Sequence, residues 1–267
     1  MAETIWDALV PVYEKWAEPT SAAFAEAALD RAELCAASAV LDVAAGTGAL
    51  AVAAAARGHG VHAIDNSPGM VSRLTERLES YPGSSAQLMD ALDLQYGDDE
   101  FDAAFSMLGV LYFGPMAVKA LTEMVRVVRP GGVVGVVHWA SPVGGGPMFV
   151  PLVRALDRLG DPEARGLTIP VTNEFLEGGD VEHVLGEAGC VDVWSEKVER
   201  ESPMPTPETF MDELDLFFQM FPQYRTAVSR HRDRLREALA EEVRLMAKGK
   251  DGHPLAQVNI AYGRVPR

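Results

Sequence analysis

Three aspartates in the first third of the chain each close a short, mostly apolar run: Val40-Leu41-Asp42, Ala63-Ile64-Asp65 and Leu88-Met89-Asp90. A carboxylate held at the end of a buried segment is a two-oxygen acceptor, suited to the hydroxyl, amino or cationic groups of a ligand. The first acid leads into Val43-Ala44-Ala45-Gly46-Thr47-Gly48 and then an alanine-rich run. The two glycines permit positive φ and carry no Cβ, so a ligand can lie against the backbone. A helix opening near Gly48 presents unpaired N–H groups to an electron-rich ligand group. The stretch reads as the binding loop of an adenosine-containing cofactor. Taken alone, Gly46-x-Gly48-x-x-Ala51 also satisfies the relaxed dinucleotide fingerprint of nicotinamide enzymes. That fingerprint places its first glycine directly after an apolar strand, whereas here Asp42 stands four residues earlier, at the strand end.

Such groups need a frame, and the pattern around them supplies one. Residues 4–29 read as helical, with an apolar stripe through Ile5, Trp6, Leu9, Val12, Tyr13 and Trp16; Pro19 is expected to break it, with a second helix from Ser21 toward Leu34. Strands are expected at Ala39–Val43, Gly60–Asp65, Ala86–Met89, Phe101–Ser106 and Val133–His138, the last entered through the turn Arg129-Pro130-Gly131-Gly132. Helices are expected at Ala49–Arg57, from Ser67-Pro68 through Leu78, and from Pro115 to Val128. This alternation predicts a doubly wound, mostly parallel α/β sheet, in which ligands bind outside the carboxyl ends of the strands. Asp42, Asp65, Asp90, Ser106 and His138 fall at those ends.

Beyond Trp139 the exit through Pro142, Gly144-Gly145-Gly146 and Pro147 leads to a helix near Phe149–Leu159 and a loop through Pro162, Gly166 and Pro170. A helix at Asp180–Ala188, a sixth strand at Val191–Val198, a helical pair over 207–247 and a seventh strand at Leu255–Tyr262 complete the chain. The organisation expected is an N-terminal helical cap (1–37), a cofactor-binding core (38–142), a lid insertion (143–178), a further core helix and strand (179–200), a helical lid (201–250) and a final strand (251–267).

The chain has 267 residues, 48% of them hydrophobic and 23% charged, enough for one large domain with a sizeable core. A net charge of −16 argues against a nucleic-acid partner, since phosphate binding relies on clustered Lys and Arg. Cys35 and Cys190 lie far apart, with no metal-like spacing, which fits a reduced, cytoplasmic setting. No secretory signal and no membrane-spanning apolar run is visible.

In order and spacing, these segments resemble a class I S-adenosylmethionine-dependent methyltransferase of the small-molecule type. The resemblance rests on Leu41-Asp42-Val43-Ala44-Ala45-Gly46-Thr47-Gly48, Asp65 with Ser67-Pro68-Gly69-Met70, Asp90-Ala91-Leu92-Asp93-Leu94, Phe101-Asp102-Ala103-Ala104-Phe105-Ser106 and Arg126-Val127-Val128-Arg129-Pro130-Gly131-Gly132. Together they cover residues 38 to 139. Ala188-Gly189-Cys190 and the aromatic opening from Trp6 to Trp16 add to it. Where the family often has a glycine, this chain has Ala44. The resemblance implies a Rossmann-like seven-stranded fold and S-adenosylmethionine as cofactor. Gly46, Thr47, Gly48 and Ala44 would lie along its methionine part, with Asp42 organising the amino group and Ser106 lining the same end. Asp65 would accept both ribose hydroxyls. Asn66 and Met70 would border the adenine, and Asp90 would accept from its exocyclic amine, with Ala91 and Leu92 in contact. Tyr13 and Trp16 would close over the cofactor or a substrate, or simply pack on the core.

Methyl transfer from a sulfonium needs alignment and desolvation more than acid–base help. His138 is the candidate general base, beside the expected methyl position, with Trp139 next to it; a histidine merely hydrogen-bonded at the strand end is the alternative. Tyr112 could orient a substrate or pack. Phe217 and Phe218, with Phe210, Leu214 and Phe221, are expected to line part of an apolar substrate pocket, or else form helix–helix core or a homodimer face. No His/Cys/carboxylate set has metal spacing. The expected activity is methyl transfer to O, N or C of an apolar or amphipathic small molecule, of the kind met in specialised metabolism. The rivals are non-methyl chemistry at the same site, such as cyclisation, a nicotinamide oxidoreductase, and a non-catalytic cofactor-binding protein.

Overall fold

β1 (Ala39–Val43) is apolar but for Asp42, because it runs between two parallel neighbours, β2 (Gly60–Asp65) and β4 (Phe101–Met107), and is covered on both faces. With β3 (Ser85–Leu88), β5 (Val128–Trp139), β6 (Val191–Glu201) and β7 (Leu255–Arg264) it forms a seven-stranded sheet of order β3-β2-β1-β4-β5-β7-β6. β7 runs antiparallel to both β5 and β6. This is the doubly wound, mostly parallel sheet that the sequence predicts. The computed structural model describes residues 4–140, 146–167, 178–246, 248–250 and 252–267, without the side chains of 111–112 and 178–180. Pro142, Gly144, Gly145 and Pro170 of the expected loops lie outside the described residues.

Successive residues of β5 serve opposite faces of the sheet. Val133 and Val137 join a core built with α2 (Glu18–Arg31), α3 (Ala49–Ala56) and α4 (Pro68–Leu78), including Phe24, Leu50 and Leu74. Val134 and Val136 join the core under α5 (Ala117–Val127) and α7 (Gly178–Glu187), with Leu121 and Leu185. A third apolar cluster stands apart from the sheet. It packs α6 (Phe149–Leu159), α8 (Phe210–Phe218) and α9 (Pro222–Leu245) around Phe218 and Leu239, and draws in Leu9 of α1 (Ile5–Val12). α1 joins the two parts. Its Asp7 accepts hydrogen bonds from Ser67 Oγ at 2.7 Å and Gly69 N at 2.6 Å, at the start of α4.

Two local expectations are corrected. Pro19 breaks nothing: α1 passes through a π-helical turn, Tyr13–Ala17, straight into α2, with Pro19 in the first turn of α2. There a missing N–H needs no partner. Arg129-Pro130-Gly131-Gly132 is not a turn ahead of the fifth strand but a bulge inside it, between the pairs Phe101–Val128 and Ala103–Val133. Gly131 N is tied to Val265 O at 2.8 Å.

Candidate active site

The loop after β1 gets its shape from alternating left-handed residues: Ala44 (φ 57°), Gly46 (φ 57°) and Gly48 (φ 97°), the last preceding α3. A Cβ on Gly48 would stand 2.3 Å from Leu74 Cδ1, so packing as well as dihedral demands glycine there. Ala44 tolerates the same dihedral at a cost of about 1 kcal/mol relative to glycine. Its methyl group fits because the residue facing it is Gly109, where a Cβ would come within 2.5 Å of Ala44 Cβ. The loop is hung on β2 by Ala45 N to Ile64 O and Gly46 N to Asp65 Oδ2, both 2.9 Å. Ser67 N donates to the other oxygen, Asp65 Oδ1, at 2.9 Å. Each oxygen of Asp65 thus keeps lone-pair capacity for a further donor. Burial raises the Asp65 pKa, opposed by the N–H groups of Ser67, Gly46 and Asn66.

Asp42 lies beneath the loop, fully buried. Its Oδ2 accepts the Ala51 N–H at 2.9 Å, while Oδ1 has no partner among the described residues. Burial, and secondarily the charge of Asp65, push its pKa up to about 7 against the pull of the Ala51 N–H. Thr47 turns away from the open side. Its hydroxyl donates to Glu18 of α2, which also pairs with Arg77 of α4, and Arg77 Nη1 returns to Thr47 O at 2.8 Å. This buried triad clamps the loop between two helices.

In front of the loop is a cavity of about 320 Å³, mostly apolar in lining. Its lining includes Gly46, Asp65, Asn66, Met70, Met89 and Ala91, and an aromatic set of Trp6, Tyr13, Trp139, Phe149 and Phe217. Trp6 and Phe149 meet Phe217 at 6.2 and 5.6 Å between ring centroids. The Tyr13 ring stands over Gly46, its hydroxyl 3.4 Å from where a Cβ would sit.

Of the residues expected at a site, Tyr13, Ala44, Gly46, Asp65, Asn66, Met70, Ala91, Trp139 and Phe217 line this cavity. Others are placed elsewhere. Trp16 donates its Nε1 to Glu213 at 3.3 Å on the α8 side. Asp42, Thr47 and Gly48 support the loop from behind. Asp90 is exposed and folds over its own turn, accepting Leu92 N at 2.9 Å, and Leu92 packs on the α5–α7 core. Ser106 Oγ is engaged by Val110 N at 3.0 Å. Phe218 is buried in the third cluster against Phe210 and Tyr224. β5 sends Trp139 to the cavity and leaves His138, of opposite parity, buried opposite Asn259 of β7. The side chain of Tyr112 lies outside the described residues. Sequence reasoning missed Thr20, Ser202, Met89, Gly109 and Phe149, which come from five different segments and share no local pattern.

Residues 40–132 match the family model described as a methyltransferase domain. That segment, which runs from β1 into β5, is similar to a methyltransferase domain. Relatives at sequence level align over less than half of the chain. An uncharacterized protein of Mycobacterium tuberculosis is 41% identical over 102 residues, 38% of this chain and 36% of that one. A demethylmenaquinone methyltransferase of Clavibacter sepedonicus is 38% identical over 119 residues, 43% and 44% of the two chains. The chain thus spans less than half the length of these curated relatives. The structure of Haemonchus contortus phosphoethanolamine N-methyltransferase 2, in complex with phosphomonomethylethanolamine and S-adenosylhomocysteine, superposes with a TM-score of 0.54 at 19% identity, over 91% of this chain and 52% of that one. Likeness at that level shows a shared fold over most of the chain.

Proposed function

We propose that this chain is a methyltransferase that takes S-adenosylmethionine as cofactor and methylates an apolar or amphipathic small molecule. The observation that carries the reading is Asp65, whose two oxygens are each bonded by a backbone N–H and which lines the cavity beside the small residues Ala44 and Gly46 of the loop. That arrangement fits an adenosine: the carboxylate takes the ribose hydroxyls, Ile64, Met70, Met89 and Ala91 flank the purine, and thioethers pack well on aromatic faces. Ala44 and Gly46 give backbone to the methionine part, and the Asp42 carboxylate beneath them supports the loop. Among the described residues the lining has no Lys or Arg, which suits a cationic sulfonium better than the two phosphates of a dinucleotide.

S-Adenosylmethionine, when bound, supplies a methyl group already activated on sulfur. The protein's part is to exclude water and hold the acceptor in line. Tyr13 over Gly46, and the rings of Trp6, Trp139, Phe149 and Phe217, do both, with α6, α8 and α9 acting as the lid. The only ionisable side chains among the described lining residues are Asp65 and the Tyr13 phenol. An acceptor that is nucleophilic in its own resting ionisation state, at O, N or C, suits this cavity.

The test is incubation with S-adenosylmethionine and a panel of uncharged aromatic acceptors, with S-adenosylhomocysteine measured by mass spectrometry. The reading expects product with at least one acceptor. Saturable binding of nicotinamide dinucleotides, with none of S-adenosylmethionine, overturns it.

A further inference from the structure

We propose that Thr20 and Ser202 are the polar anchor of the acceptor half of the cavity, and that they select an uncharged, largely apolar ring system bearing one hydrogen-bonding oxygen, a hydroxyl or a carbonyl. The proposal rests on the methyltransferase reading above.

Thr20 lies in α2 and Ser202 just past β6, 182 residues away, yet their hydroxyl oxygens are 2.6 Å apart. Both line the cavity, and both are almost wholly shielded from bulk solvent, at 2% and 1% exposure. Two hydroxyls carry two hydrogens, and one of these joins the pair. Neither side chain has another hydrogen-bond partner among the described residues, so whichever one donates, the O–H of the other remains available. A buried O–H left without an acceptor costs about 1–3 kcal/mol. An oxygen on the occupant of the cavity satisfies it.

The pair is held rigidly. Ser202 N donates to Pro254 O at 2.8 Å, fixing the chain as it leaves β6, and the β-branched Thr20 has a restricted χ1 in its helix. The neighbouring Ser21 hydroxyl is already engaged with Ala17 O at 3.3 Å. Trp139, Met148, Phe149 and Phe217 line the same cavity. A carboxylate bound there would be desolvated with no cation on the described lining, and an ammonium would find no carboxylate but Asp65, which the reading above gives to the ribose. A ring with one neutral oxygen meets a donor where it needs one and apolar surface elsewhere.

The test uses three probes of one shape at pH 7: naphthalene, 2-naphthol and 2-naphthoate, measured by equilibrium dialysis with and without S-adenosylhomocysteine. Wild type is expected to bind 2-naphthol about fivefold to tenfold tighter than naphthalene, with 2-naphthoate weakest. Thr20→Val and Ser202→Ala should each erase the 2-naphthol advantage and leave naphthalene and S-adenosylhomocysteine binding unchanged, while Thr20→Ser keeps it. The two deletions lie on different elements, and circular dichroism checks that each is folded. Wild type without a preference for 2-naphthol, a preference for 2-naphthoate, or an advantage that survives both substitutions overturns the anchor. The expected probe ranking without any binding of S-adenosylhomocysteine overturns the cofactor reading and upholds the anchor.

Discussion

Asp42→Asn should make the protein more stable than wild type at alkaline pH and remove a pH dependence that wild type shows. In the fold Asp42 is fully buried, with one oxygen bonded to Ala51 N, and its pKa rises from 3.8 to about 7. Between those values the folded protein holds a proton that the unfolded chain has released. Stability therefore falls as pH rises from about 4 to about 7 and levels off above it. A displacement of about three pKa units corresponds to about 4 kcal/mol, an order-of-magnitude figure. Asparagine keeps an oxygen for the Ala51 N–H and cannot ionise. Urea denaturation of both proteins at pH 4 and pH 8 gives the double difference directly, free of the other titrating groups. The variant should gain up to about 4 kcal/mol on wild type across that interval. A difference that does not change with pH, or that moves against the variant, would mean that Asp42 is ionised in the fold.

Other substitutions probe the loop and the lid. Gly109→Ala brings a methyl group within 2.5 Å of Ala44 Cβ and should cost about 1–3 kcal/mol in thermal or chemical melts, with weakened S-adenosylhomocysteine binding; adding Ala44→Gly should restore part of both. Thr47→Val removes a hydrogen-bond partner from the buried Glu18 and should destabilise by about 1–3 kcal/mol in urea. Phe217→Ala should weaken 2-naphthol binding in dialysis while cofactor binding persists. Phe218→Ala, its fully buried neighbour, should instead lower stability by about 3–5 kcal/mol with probe affinity retained in the folded fraction.

The frame of this site was legible because parallel strands buried on both faces read as apolar runs, and an acid at the end of such a run stands out. Asp42, Asp65, Gly46 and Gly48 were found that way. What sequence could not supply was the direction of each side chain. Inside one loop, Gly46 opens to the cavity while Thr47, the next residue, faces the Glu18–Arg77 pair, a choice made by backbone dihedrals of alternating sign. At the end of β5 one step of parity separates Trp139, which lines the cavity, from His138, which does not. Asp90 carries the right chemistry for a ligand contact, and one of its two carboxylate oxygens serves its own turn. Thr20 and Ser202 meet only through the fold, and no periodicity links residues 182 apart. Pro19 misled for a different reason: proline ends a helix in mid-run but is at home in a first turn, and the π-helical turn before it hid where that first turn begins.

The most direct test of the central claim, that Asp65 and the glycine loop bind the adenosine of S-adenosylmethionine, is calorimetric titration of S-adenosylhomocysteine into wild type and Asp65→Ala, with NAD⁺ as control. The account predicts one site per chain on wild type, affinity lowered by roughly tenfold to a hundredfold in the variant through loss of charge-assisted hydrogen bonds, and no heat from NAD⁺. Equal affinity in the two proteins, or saturable NAD⁺ binding in place of S-adenosylhomocysteine, would contradict it.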